Sequence, residues 1–160
     1  MPTTAAQQAL PKPAVASVAT SEGIRATVEG KPFVAEQITA SSFVIAGKPF
    51  LNVNGNFRAK PGAPTVSLGF NISGRVPGTY AFVPNSFTST HGRYTRDLVG
   101  ADPMLDVYLF DQGSVTISRY DATKHTVSGT FSVIAKNRSG SPITISDGVF
   151  ADVTVVEIAR

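Results

Sequence analysis

Cysteine is absent from this 160-residue chain, so neither a disulfide nor a thiolate-ligated metal can form. Tryptophan is absent too, which leaves ten Phe and four Tyr to supply the large aromatic volume of a core. Charge is thin: Asp, Glu, Lys and Arg make up 16% of the residues, where an average globular chain has about a quarter. Leu and Glu, favoured on surface helices, are scarce beside Thr, Ser, Val and Phe, a bias toward strands and turns. No run approaches the roughly 18 apolar residues of a membrane-spanning helix. The 14 Gly and 11 Pro follow no period, which excludes collagen-like and low-complexity chains.

What is present describes one domain with an appendage. At 16.8 kDa the chain suffices for a single core. Its net charge of +3 comes from basic residues scattered from Lys12 to Arg160. Nucleic-acid binders gather such residues on one helix or stripe, so no nucleic-acid partner is expected. Residues 1–22 (MPTTAAQQALPKPAVASVATSE) hold Pro2, Pro11 and Pro13 and no aromatic residue. They are too poor in apolar bulk to offset their ordering entropy and read as a flexible arm. They lack the charged start and apolar run of a secretory signal. The expectation is a chain that begins after a cleaved leader.

From Gly23 to Arg160 the pattern is short alternating runs punctuated by turns. Gly30–Lys31–Pro32 and Gly47–Lys48–Pro49 read as turns. In the run from Phe50 to Phe57, Leu51, Val53, Gly55 and Phe57 share the face expected inside, with Asn52, Asn54 and Asn56 on the other. Val66, Leu68, Phe70 and Ile72 alternate most cleanly. Met104 to Phe110, Ser114 to Tyr120, Thr126 to Ala135 and Ile143 to Ile158 complete the strands. Near Gly148 the apolar parity shifts, which marks a bulge. With no helix to cross over a sheet, pairing must be antiparallel. The expected fold is therefore all-β, a two-sheet antiparallel β-sandwich, with a flattened β-barrel as the alternative.

Signals of chemistry are few. No G-x-S-x-G elbow, phosphate-binding loop or calcium loop occurs, and His91 and His125 lack the paired spacing of metal ligands. No catalytic residue, metal site or cofactor is expected, and the chain is read as not an enzyme. The segment from Pro84 to Pro103 is long for a connection without regular structure, and such loops often carry function. Within it Phe87, His91, Arg93, Tyr94 and Arg96 combine aromatic and cationic anchors with adaptable polar residues. They form the candidate binding surface; in the competing reading Phe87 and Tyr94 tuck back onto the core. The Asn52–Asn54–Asn56 ladder is a second candidate, or simply a solvated strand face.

Four segments stand out along the chain: RATVEGKPFVA (Arg25 to Ala35), VPGTYAF (Val76 to Phe82), GSVTISRYD (Gly113 to Asp121) and GTFSVIAKNRSGSPITISDGVF (Gly129 to Phe150). In this order they resemble a family of small secreted lipoproteins of unknown function from Bacteroidota. The resemblance covers about residues 23–156. It departs in two places: the lipid-acceptor cysteine is missing, and Phe33 stands where the family usually has Trp. It implies a cell-envelope or extracellular address, a lipid anchor on the native precursor, and the arm as its tether. It implies no activity. Together these readings point to an envelope-tethered binding module for a glycan or protein partner. The alternative is an assembly subunit that self-associates through edge strands or the arm.

Overall fold

The computed structural model describes residues 23–58, 65–84, 86, 88–96 and 107–158, and every regular element among them is a strand. The arm read over residues 1–22 lies outside the described residues, as does Phe87. The strands are β1 (Gly23–Val28), β2 (Lys31–Val34), β3 (Gln37–Ile45), β4 (Lys48–Arg58), β5 (Thr65–Ile72) and β6 (Gly78–Ala81). They continue with β7 (His91–Thr95), β8 (Val107–Asp121), β9 (Thr126–Lys136), β10 (Pro142–Thr154) and β11 (Val156–Glu157).

All eleven belong to one hydrogen-bonded sheet in the order β11-β3-β4-β5-β7-β8-β9-β10-β1-β2, with β6 paired to β8. Pairing is antiparallel except between β11 and β3. Among the described residues the two separately bonded sheets of the expected sandwich do not occur; the ladder runs unbroken and curls strongly into an open half-barrel. The physical reason lies in β8 and β10, of 15 and 13 residues. Their pairing with β9 slips at Phe110/Gln112, Ile117/Arg119, Ile145/Gly148 and Phe150/Val153. Each bulge bends the strand without ending it, so long strands wrap one core where straight ones would have split into layers. The parity shift read near Gly148 is one of these bulges, with Asp147 in a left-handed conformation at φ 53°.

The core fills with phenylalanine, as the missing tryptophan requires. Phe70 on β5 meets Phe131 on β9 at 5.1 Å and Phe150 on β10 at 5.6 Å, so opposite walls touch through aromatic rings. These rings lie over glycines. A methyl group at Gly148 would come within 2.5 Å of the Phe131 ring, and one at Gly129 within 2.5 Å of Phe150. On β4, Leu51 and Val53 are fully buried while Asn52, Asn54 and Asn56 stay partly exposed, as the alternation predicted.

Two local expectations needed adjustment. The first hairpins turn at Glu29–Gly30 (φ 50° and 78°) and Ala46–Gly47 (φ 51° and 79°), one residue earlier than read. Positive φ at both central residues is the geometry that matches strand twist, so Lys-Pro begins the next strand. The segment from Pro84 to Pro103, read as irregular, contains β7 between β5 and β8. Five residues with a glycine in second place carry too little alternation to announce a strand; pairing on both sides makes it one.

Candidate functional site

Cross-strand register sorts the outer face of β3, β4, β5 and β7 into rows. Ser41, Asn52, Asn71 and His91 stand side by side, then Thr39, Asn54, Gly69 and Arg93, then Gln37, Asn56, Ser67 and Thr95. Gly69 leaves the centre of this array without a side chain. The result is a groove of about 410 Å³ lined by Thr39, Asn54, Asn56, Ser67, Gly69, Arg93 and Thr95. The Asn54 carbonyl oxygen occupies the space that a methyl at Gly69 would need.

The amides of the first two rows are held in place. Asn54 Nδ2 donates to Asn52 Oδ1 at 2.5 Å, and Asn52 Nδ2 donates to Asn71 Oδ1 at 2.8 Å. Asn71 Nδ2 lies 3.1 Å from His91 Nε2, and His91 Nδ1 lies 2.8 Å from the Ser89 carbonyl. Arg93, on the exposed side of β7, has no ion-pair partner among the described residues.

The candidate residues therefore divide. Arg93 faces outward and lines the groove, while His91 stands in the neighbouring row beside Asn71. Tyr94, read as an exposed anchor, points inward: it is 7% exposed and lies 6.4 Å from the rings of both Phe33 and Tyr108. Burial pushes its phenol above the ordinary value, against the pull of Arg96. Tyr94 thus belongs to the core, as the competing reading had it, because strand alternation puts it opposite Arg93 and Thr95. Arg96 shares that inward parity; it donates to Tyr108 Oη at 2.8 Å, with its guanidinium 5.0 Å from that ring. The Asn52–Asn54–Asn56 ladder does form one wall of the array. Thr39, Ser67, Gly69 and Thr95 went unread, because only the registers of β3 on β4, β4 on β5 and β5 on β7 bring them together. Their shared outward parity was the available signal.

Two other depressions are less equipped. One of about 520 Å³ lies beside the Asp147 bulge among Ser114, Thr116, Thr130 and Ser132. A second, of about 310 Å³, is walled by Arg75, Val76, Tyr120, His125 and Glu157. The side chains of Arg75, Tyr120 and Glu157 are engaged with their neighbours. Arg75 donates to Ser42 Oγ at 2.6 Å and pairs with Glu157 at 3.3 Å, and Tyr120 donates to Glu157 at 3.2 Å. Burial first, then the Glu157 carboxylate, raises the Tyr120 phenol above its ordinary value. This cluster ties β11 to the sheet. Among the described residues no three His, Asp or Glu side chains converge as a metal site, and no helix is long and apolar enough to cross a membrane.

No curated protein and no solved structure shows significant similarity to the chain. Residues 20–154 match a family described as a domain of unknown function, DUF6252. That match spans most of the sequence, and the chain belongs to the DUF6252 family.

Proposed function

We propose that this chain is a non-enzymatic binding module that takes a glycan on the outer face of β3, β4, β5 and β7. The observation that carries the reading is the groove itself. A guanidinium without an ion-pair partner among the described residues lines it together with the Asn56 amide and the Asn54 amide, which Asn52 holds and whose Oδ1 lies over Gly69. Sugars present closely spaced hydroxyls, and an asparagine amide both donates and accepts. Amides already held by their neighbours lose little freedom on binding. The groove lining has no aromatic side chain, so affinity would rest on hydrogen bonds and on Arg93. That favours an acidic glycan, whose carboxylate a guanidinium can grip through two bonds.

A protein partner would want an apolar or aromatic anchor, which this lining does not offer. The reading as binder rather than enzyme draws support from four of the described carboxylates. Asp111 pairs with Lys136, Asp152 with Arg119 and Glu157 with Arg75, while Asp121 accepts from the backbone of Thr123 and Lys124. An address at the cell envelope, with residues 1–22 as spacer to a lipid anchor, belongs to the same proposal and rests on the family resemblance alone.

An array of neutral and acidic oligosaccharides, probed with the full chain and followed by calorimetry, tests the proposal. The expected result is retention of an acidic glycan, weakened about tenfold or more by Arg93→Ala, the scale of one charge-assisted hydrogen bond. Asn56→Ala should weaken it less, and Lys124→Ala, on the distant β8–β9 turn, should leave it unchanged. Silence across the array, or equal affinity of Arg93→Ala and parent, would overturn the reading.

A further inference from the structure

The geometry points to His91 as the residue that decides which atom Asn54 offers to the groove, through a one-way chain of amides. The inference rests on the groove being the binding face, and it specifies the kind of ligand group that fits there.

The chain has a fixed end. The Ser89 carbonyl can only accept, so His91 Nδ1, 2.8 Å away, must carry the proton. In a neutral imidazole Nε2 then holds a lone pair, and Asn71 Nδ2 at 3.1 Å donates to it. Asn71 is thereby oriented, with Oδ1 accepting from Asn52 Nδ2 at 2.8 Å. Asn52 is oriented in turn, with Oδ1 accepting from Asn54 Nδ2 at 2.5 Å. The last atom of the series is Asn54 Oδ1, which lies against Gly69 in the groove floor. The two ends of an asparagine amide are nearly equal in shape, so sterics alone would let each turn over. The backbone carbonyl behind His91 is what removes that freedom. The groove therefore presents an acceptor at its centre, and the matching ligand group is a donor, a hydroxyl or an acetamido N–H.

A second proton on His91 reverses the series. It adds a hydrogen at Nε2 facing the Asn71 donor, and two donors cannot bond. Asn71 turns over to offer Oδ1, Asn52 follows, and Asn54 comes to offer Nδ2 to the groove. A ligand hydroxyl adapts to either arrangement, because it donates and accepts, whereas an N–H does not. The described charged group beside His91 on its own strand is Arg93; on β8, two residues beyond the partner of Arg93, Asp111 pairs with Lys136 of β9 at 3.4 Å. The outward positions described on β5, Ser67, Gly69 and Asn71, bring no ionisable side chain.

Nitrogen-15 NMR of the full chain, without any ligand, tests the relay. The expected result is neutral His91 in the Nδ1–H form, with the side-chain amide signals of Asn71, Asn52 and Asn54 moving at the same midpoint as His91 on acidification. His91→Gln, whose Oε1 can stand in for Nε2 as acceptor, should keep the neutral-pH amide positions and abolish the shared pH response. An Nε2–H tautomer, or Asn52 and Asn54 signals that stay fixed while His91 titrates, overturns the relay. Because no ligand takes part, that failure is separate from a failure of glycan binding, which the array and calorimetry decide.

Discussion

Tyr94 carries its phenol into the core between Phe33 and Tyr108, with Arg96 bonded to the Tyr108 hydroxyl beside it. Removing that phenol from water disfavours the phenolate, so the folded chain holds the proton more tightly than the unfolded chain does. The sign of the pH dependence follows from this. The contribution of neutral Tyr94 is complete below about pH 10, the ordinary tyrosine value, and is lost as pH rises through the higher folded value. Tyr120 is raised as well, by burial and by Glu157, and adds to the same alkaline loss. Urea unfolding at a series of alkaline pH values should therefore show a falling midpoint, with part of the fall removed by Tyr94→Phe and part by Tyr120→Phe. The phenolate absorbance of the folded parent should also develop late. A Tyr94→Phe chain that loses stability as steeply as the parent would show that this residue is not responsible.

At the scale of elements, the half-barrel depends on strands that bend while still paired. On β10 the bend follows Asp147, and Gly148 beyond it admits the Phe131 ring to the inner surface. Gly148→Ala places a methyl 2.5 Å from that ring. Overpacking of this kind costs about 1–3 kcal/mol. Gly23→Ala, in open space on β1, should change stability by no more than about 0.5 kcal/mol. Denaturant midpoints of the two variants decide the matter, and equal midpoints would mean that the ring yields without strain. The bulge was legible because parity shifts in the sequence itself, from Ile143 and Ile145 to Phe150. The curling of one sheet was not. It arises from slips between partners, and nothing in a single strand records where its partner bulges. The site was legible in the same partial way. Asn52, Asn54 and Asn56 announce an outer face by alternation, and His91 and Arg93 stood out by residue type. Tyr94 reads equally as a binding anchor and as a core residue, because β7 is too short for its parity to be read. Gly69, which makes the groove, is an ordinary strand glycine until Asn54 and Arg93 are set beside it.

For the whole molecule, an open sheet raises the question of what protects its two ends, since unpaired edges invite pairing with other chains. At one end, β2 turns alternate backbone groups inward: Ala35 N donates to the Ile24 carbonyl, which leaves Pro32 on the outward-facing set. Pro32 has no N–H to offer a neighbour, and Lys31 adds charge beside it. At the other end β11 pairs over only Val156 and Glu157, and Arg75 holds it down through Glu157. The strands β2 and β11 are short and blunted, although β11 pairs with only Ser41 and Ser42 of the nine-residue β3, and Val34 and Val156 are 58% and 62% exposed. The blunting of β2 and β11 weighs against pairing through those two strands and favours a monomer. Light scattering on the full chain should then report a monomer. Replacing Lys31→Thr and Pro32→Val together restores an outward donor and removes the charge, and that variant should self-associate with rising concentration. Such an outcome would assign the monomeric state to two residues of β2. If the parent itself is an oligomer, the edges are not what limits association, and the assembly reading gains over the binding module. If parent and variant are both monomers, protection comes from outside β2, and the short β11 edge with its Arg75–Glu157 tie is the next place to change.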